Sequence, residues 1–275
     1  MSTNSINTNT GAIIALQNLN ITASELQTTQ NRISTGLSVS SAKDNGAIWG
    51  IAQNERSSVS ALDAVKQSLQ RAQSTVDVAV SAGQTISDLL NQVKARTLAA
   101  SDTSLDATSR TALANDVTAL VTQIGRIVSN ADFNGTNIIK SGGVTINALA
   151  NAGGTNVLTV QPQDLSVGGT NLGALGTVFT TATTAGTYLG LVGSAITNTN
   201  AAVAKLGTAS NALTTHLSFI SNLQDSLTQG VGNLVDADVA KESASLTALQ
   251  TKQQLGVQAL SIANSSKQGL LSLFR

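Results

Sequence analysis

A mainly α-helical chain is predicted: an elongated rod of long antiparallel coiled-coil helices drawn from both chain ends, with a small β-hairpin insert in the middle. Three observations predict it. Apolar residues recur through five consecutive heptads from Leu62 to Val93. The one proline, Pro162, leaves the helical patterns on either side of it uninterrupted. Glycine pairs and short alternating apolar runs are confined to residues 135 to about 190.

The first helix is read from Leu16, Leu19, Leu26, Ile33 and Leu37, which are spaced like one face of a helix. In the second, Leu62, Leu69, Val76, Gly83 and Leu90 form one seam, and Val65, Ala72, Ala79, Ile86 and Val93 form the other. Asp102 and Ser104 sit in the break that follows, where either could cap a third helix carrying Leu113, Leu120 and Ile127 beside Val117 and Ile124. Gly142–Gly143, Gly153–Gly154 and Gly168–Gly169 then punctuate runs such as Val144–Ile146 and Val157–Val160, with a turn at Pro162 and Asp164. A fourth helix carries Val203, Ser210, Leu217 and Val231 on one seam and Leu206, Leu213, Ile220, Leu227 and Leu234 on the other. The last helix keeps its stripe to the chain end through Val239, Leu246, Leu249, Leu260, Ala263, Leu270, Leu271, Leu273 and Phe274.

Chain ends are usually polar and fray. Here both carry a stripe, so residues 1–45 and 235–275 are expected to lie side by side as a terminal helix pair. Residues 46–234 then form a rod domain of heptad helices, with the β insert at about 135–190. A helix of about 40 residues is about 60 Å long. Pairing leaves Ile13, Ile14, Leu255, Val257 and Ile262 partly uncovered, so further copies of the chain are needed to bury them. In dilute monomer the ends are expected to bury too little apolar surface to offset their ordering entropy, and to order on assembly.

Composition narrows the function. Net charge is zero and the basic residues are scattered, which argues against nucleic acid and anionic membranes. No apolar run approaches the ~20 residues of a membrane-spanning helix. The opening MSTNSINTNTG lacks the basic and apolar regions of a secretory signal. There is no cysteine, and hence no disulfide, thiolate metal site or thiol catalysis. Aromatic residues are only 2% of the chain, so the core must be aliphatic.

No chemistry emerges. His216 is the one histidine and lies inside a heptad run, which fits a solvated or packing role better than a catalytic triad. Asp236, Asp238 and Glu242 suit the positive end of the last helix better than a metal. The glycines of residues 168–176 lack the Lys–Ser/Thr of a phosphate loop and read as turns. Trp49 reads as a bulky plug where the terminal arm meets the rod. The Asn-x-Ser/Thr sequons at Asn20, Asn134 and Asn264 are what chance supplies in a chain with about four residues in ten Ser, Thr, Asn or Gln. No catalytic residue, cofactor, metal or small-molecule substrate is expected.

Four stretches carry a family resemblance: SINTNTGAIIALQNLN (5–20), RISTGLSVSSAKDNGAIWGIA (32–52), QIGRIVSNADFNGTNI (123–138) and the C-terminal NLVDADVAKESASLTALQTKQQLGVQALSIANSSKQGLLSLFR (233–275). Together these resemble bacterial flagellin across both helical arms, and AKDNGAIW and LQTKQQLGVQALSIAN are similar in style to flagellins of stalked alphaproteobacteria. The resemblance implies a non-enzymatic structural subunit that polymerises into the extracellular flagellar filament for swimming motility. It implies export through the flagellar type III apparatus without a cleaved signal peptide. It also implies partners: further copies of the chain, an export chaperone on the C-terminal helix, a filament cap and hook-junction proteins.

On this reading Leu16, Leu19, Leu26, Ile33, Leu246, Leu249, Leu260, Leu270, Leu273 and Phe274 pack subunits in the filament's inner core. Leu62, Val65, Leu69, Val76, Ile86, Leu90, Leu206, Leu213, Ile220 and Leu227 form the core of the outer rod. The short insert implies that the large surface domains of long flagellins are absent. Ser38 stands where many flagellins carry a basic residue. Residues 91–98, NQVKARTL, stand where many carry Gln-Arg-Met-Arg-Glu-Leu-Ala-Val, the epitope of the animal innate receptor for flagellin. Gln92, Lys94 and Ala95 make that epitope degenerate, through the loss of charged hydrogen-bond partners at Gln92 and Ala95. A hook–filament junction protein shares the terminal helices, but the Phe-Asn-Gly turn and the Leu-Phe-Arg ending favour flagellin. A flagellin with an inserted peptidase needs a His-Glu-x-x-His helix, and none exists. A free coiled-coil adaptor would form a discrete oligomer.

Overall fold

The computed structural model describes residues 8–176 and 179–272, with side chains to Ser266. Its elements are α1 (Thr10–Thr35), α2 (Gly46–Ala100), α3 (Ala107–Asn130), β1 (Ile146–Leu149), β2 (Val157–Val160), α4 (Ala182–Val235) and α5 (Val239–Ser272). The chain is mainly helical, with a two-stranded antiparallel sheet in the middle. It divides into two compact units: Met1–Ser57 with Ser226–Arg275, and Ser58–Asp225. Both divisions fall inside the expected 46–234 rod domain.

In the second unit α2 and α4 run antiparallel. Lys66 bonds Gln224, Gln73 bonds Thr214, Asp77 accepts from Ser210, and Ser87 donates to Asn200, so each step up α2 is a step back along α4. Between these polar ties lies the aliphatic seam. Leu62, Val65, Leu69, Ala72, Val76, Ala79, Ile86, Leu90 and Val93 on α2 are buried, as are Leu206, Leu213 and Ile220 on α4. Burial of each Val, Leu or Ile is worth about 1.5–3 kcal/mol. Gly83 has its place in the seam for steric reasons. A Cβ there would sit 2.6 Å from Val203 Cγ2, so the two helices approach where glycine leaves room.

In the last turns of α4, which belong to the first unit, the buried set departs from strict heptads. Leu227 is only half-buried and Leu234 is exposed, while Val231 and Val235 are buried. An α-helix drifts by about 20° per heptad against a seven-residue repeat, which moves the buried set onto the neighbouring stripe. On α3 the buried residues are Ala114, Val117, Val121, Ile124 and Val128. The longer Leu113, Leu120 and Ile127 flank that seam half-buried.

The α2–α3 turn differs from the sequence reading. Asp106, not Asp102 or Ser104, caps α3, accepting from Ser109 N at 2.9 Å. A cap must directly precede the first helical residue, and α3 starts at Ala107. Asp102 is instead occupied with Ser104 N and Oγ, both at 2.8 Å. The turn is locked by a buried cation: the Arg110 guanidinium donates to the carbonyls of Ala100, Asp102 and Leu105 at 2.9–3.0 Å.

The insert opens on a two-residue loop, with Asn134 at φ 51° and Gly135 at φ 79°, closed by paired Phe133–Thr136 bonds of 3.0 Å. The hairpin β1–β2 pairs Ile146 with Val160 through Leu149 with Val157. Both long helices hold it. Ser68 Oγ on α2 accepts from Leu149 N at 3.1 Å, and His216 Nε2 on α4 bonds Ala150 O at 2.8 Å. That bond makes His216 an anchor of the hairpin, and its ring lies 5.8 Å from that of Phe219 on the same helix. The insert is shorter than expected because α4 begins at Ala182. Thr181 Oγ1 accepts from Thr184 N at its start, and the helix then runs through Gly186, Gly190 and Gly193. Each such glycine costs about 1 kcal/mol relative to alanine, which masks the helix in the sequence.

Tyr188, the only tyrosine, is buried on the first turns of α4. Its hydroxyl donates to Leu175 O at 2.8 Å, and its ring meets Phe179 edge-on at 5.5 Å. Burial pushes its phenol up to about 12 from 10.0. The folded state therefore binds this proton more tightly than the unfolded chain. The contribution is intact below pH 10 and is lost as pH rises toward 12. A spectrophotometric phenolate titration should show a midpoint near 12 in the folded protein and near 10 in denaturant; a folded-state midpoint near 10 would contradict the buried placement.

Candidate self-association surface

In the first unit α1 and α5 form an antiparallel pair. Asn9 caps α1 by accepting from Ala12 N at 3.1 Å, and its Nδ2 donates to Ala263 O at 2.9 Å. Further along, Leu19 lies against Gly256, Glu25 lies 3.8 Å from Lys252, and Arg32 meets Glu242 at 3.2 Å. The seam on α1 follows alternating steps of three and four: Ala12, Ala15, Leu19, Thr22, Leu26, Thr29, Ile33. On α5 it includes Glu242, Leu246, Leu249, Gln253, Gly256, Leu260 and Ala263.

This seam is mostly small or polar. Thr22 and Thr29 are its only fully buried residues on α1, with the Thr22 hydroxyl donating back to Asn18 O at 2.9 Å. Leu19, Leu26, Ile33, Leu246, Leu249 and Leu260 are half-buried. Leu16 lies off the seam, 48% exposed, because Ala15 takes the inward position. The Leu270 side chain, Leu273 and Phe274 lie outside the described residues. No Leu or Ile on either helix is fully buried among the side chains described.

Outside the seam, apolar side chains stand bare among polar ones. Ile13, Ile14 and Ile21 on α1 and Leu255, Val257 and Ile262 on α5 are all more than half exposed, Ile262 at 67%. A groove of about 420 Å3 runs beside the pair, its apolar lining of Leu19, Ile21, Leu255 and Ala259 bordered by Asn18 and Lys252. Surfaces of this kind mark association sites.

At the base of the pair the chain is cross-tied. Gly36 ends α1 in the left-handed region at φ 71°, its N–H bonded to Arg32 O. Ser38 N and Oγ donate to Val235 O at 2.7 and 3.1 Å, and Ala237 N donates to Gly36 O at 2.9 Å. Ala52, Val231 and Val235 are buried there, with Leu37, Val39 and Ile48 packed against them. Trp49 is half-buried and lies outside this cluster, so the aliphatic residues, not the indole, plug the joint. One Asp44 oxygen accepts from the N–H and hydroxyl of both Ser40 and Ser41. The Ser41 N–H, then the two hydroxyls, hold its carboxyl below the usual range.

The three acidic residues at the start of α5 part company. Asp238 caps the helix, accepting from Ala240 N and Lys241 N. Glu242 pairs with Arg32, and the Asp236 N–H bonds Gly232 O. Among the described residues no cluster of three His, Cys, Asp or Glu could hold a metal, and no helix is long and apolar enough to cross a membrane. In the second unit Gln92, Lys94 and Ala95 are exposed on α2, and neighbouring Arg96 lies 3.8 Å from Asp116.

Residues 6–142 match the model of the bacterial flagellin N-terminal helical region, and residues 189–274 that of the C-terminal helical region. The chain is 54% identical to flagellin FljO of Caulobacter vibrioides, with both chains covered completely. It is 39% identical to a flagellin of Brucella melitensis, over 98% of this chain and 99% of that one. The crystal structure of Bacillus cereus flagellin aligns with a TM-score of 0.49 at 24% identity, over 56% of this chain and 88% of that chain.

Little apolar burial means little local stability. Amide hydrogen exchange on the monomer should show α1 and α5 exchanging well before the seam residues of α2 and α4; equal protection in both units would count against this difference.

Proposed function

Because the chain belongs to the bacterial flagellin family and is a subunit of the flagellar filament, we propose that its α1–α5 pair is the part that neighbouring subunits cover. The observation carrying this is the uneven distribution of apolar surface. Among the described residues, ten of the fifteen large apolar side chains left exposed, Ile13, Ile14, Leu16, Ile21, Ile51, Leu234, Val239, Leu255, Val257 and Ile262, belong to the first and smaller unit, against Leu98, Val144, Val157, Leu191 and Phe219 in the second. The first unit's fully buried apolar residues, among those described, are Ala52, Val231 and Val235.

Leu16, Leu19, Leu26, Ile33, Leu246, Leu249 and Leu260 then serve subunit packing, together with Leu270, Leu273 and Phe274. Residues 1–45 and 235–275 make the filament's inner core, and 46–234 its outer layer. Self-association is the property of the family. The finer partners are an export chaperone on the C-terminal helix, a filament cap and hook-junction proteins. Export proceeds unfolded through the flagellar type III apparatus without a cleaved signal peptide, a route that the absence of cysteine suits. No catalytic role is assigned to any residue, in keeping with a structural protein family. The hook-junction reading is less well supported, because the 54% identity to a flagellin runs the whole length of both chains.

Two measurements test this. Deleting Leu270–Arg275, or replacing Ile13 and Ile262 with Asp, should leave circular dichroism of the second unit intact and abolish filaments in electron micrographs. Normal filaments from either variant would overturn the assignment. Purified monomer should activate the animal flagellin receptor weakly or not at all, since Gln92 and Ala95 offer no charge for pairing; strong activation would refute the degenerate epitope.

A further inference from the structure

Two Asn–Gly pairs occur in the chain, Asn45–Gly46 and Asn134–Gly135, and the fold holds them differently. We propose that Asn45 is a site of spontaneous covalent modification, deamidating to aspartate and isoaspartate, while Asn134 is held against the same reaction. In this reaction the backbone nitrogen of the following residue loses its proton and bonds to the asparagine Cγ. The carboxamide C–N bond breaks and ammonia leaves, taking up a proton. Water then opens the cyclic imide at either carbonyl. A following glycine favours the attack because no Cβ crowds it.

At Asn45 the reacting groups are open and polarised. Asn45, Gly46 and Ala47 are all exposed. The Asn45 carboxamide oxygen accepts from Ala47 N at 3.1 Å and Ile48 N at 3.2 Å. Those two donors point at the atom where negative charge develops as the nitrogen attacks. Gly46 is the first residue of α2, so its N–H has no acceptor within the helix to retain the proton.

Asn134 is the reverse case. It sits at φ 51° in a loop closed by two 3.0 Å bonds between Phe133 and Thr136. The Gly135 N–H that must be deprotonated donates to Asp132 Oδ1 at 2.8 Å. A carboxylate there retains the proton and repels the amide anion that its loss would create. The aspartate product at position 45 still caps α2, since Asp and Asn cap about equally well, and it places a negative charge beside Asp44; the isoaspartate product lengthens the backbone by one methylene and loses that cap.

One tryptic digest reads both sites. Residues 44–56 and 127–140 are separate peptides, each holding one Asn–Gly pair. After incubation of the full chain at mildly alkaline pH, fragment-ion mass spectrometry should show a one-dalton gain at Asn45 several-fold faster than at Asn134. In urea the two rates should converge. Gly46→Ala meets no atom within 4 Å of the new Cβ, so it should suppress the gain at Asn45 without changing circular dichroism. A gain at Asn134 as fast as at Asn45 in the folded chain, no gain at Asn45, or no effect of Gly46→Ala would overturn the proposal.

Discussion

The aliphatic seam between antiparallel α2 and α4 is the interaction on which the second unit depends. It is continuous because Gly83 admits Val203, so the helices can close without a gap. The remaining elements are fitted to it. α3 adds a third row of Val and Ile, and the buried Arg110 converts the turn before α3 into a fixed joint by binding three carbonyls. The hairpin is fastened to both helices, by Ser68 and by His216. A guanidinium surrounded by carbonyl oxygens is satisfied in a way that a lone buried charge would not be.

The first unit is built on the opposite principle. Its seam joins threonine, alanine, glycine and glutamine with half-buried leucines, and its best apolar residues face outward. Surface ion pairs such as Glu25–Lys252 add at most about 1 kcal/mol. Arg32–Glu242 is better sheltered on the glutamate side, at 14% side-chain exposure, and lies close to the joint where the two chain ends are cross-tied. The unit is thus ordered by its backbone joint and caps, while most of its apolar free energy is still to be gained. A unit left in that state gains stability from anything that binds its folded form.

Much of this was legible in the sequence, unevenly. The heptad positions named on α2 are buried, but Ala52, Thr75, Leu89, Thr97 and Ala100 are buried beside them outside that named set. The seam of α3 was shifted, since Leu113, Leu120 and Ile127 suggest a stronger apolar stripe than the Val and Ala row that packs. The start of α4 was hidden by three glycines, and the α3 cap by a run of acidic and hydroxyl residues that all suit the role. At the terminal pair the stripe was visible but its inward side was not. Leu16 and Leu19 look equivalent in sequence, and only the partner helix distinguishes them.

The sequence by itself determined the helical class, the antiparallel return of the chain, the aliphatic core of α2 and α4, and the family. Those follow from periodicity, the position of one proline and motifs that are local in the chain. The tertiary structure alone decided which stripe of α1 and α3 turns inward, that Arg110 and His216 are anchors, and that Ser38, Gly36 and Val235 tie the ends together. These are contacts between residues up to about two hundred positions apart. Their geometry depends on helix drift and on which side chain leaves room for another, and no repeat within a single segment encodes it.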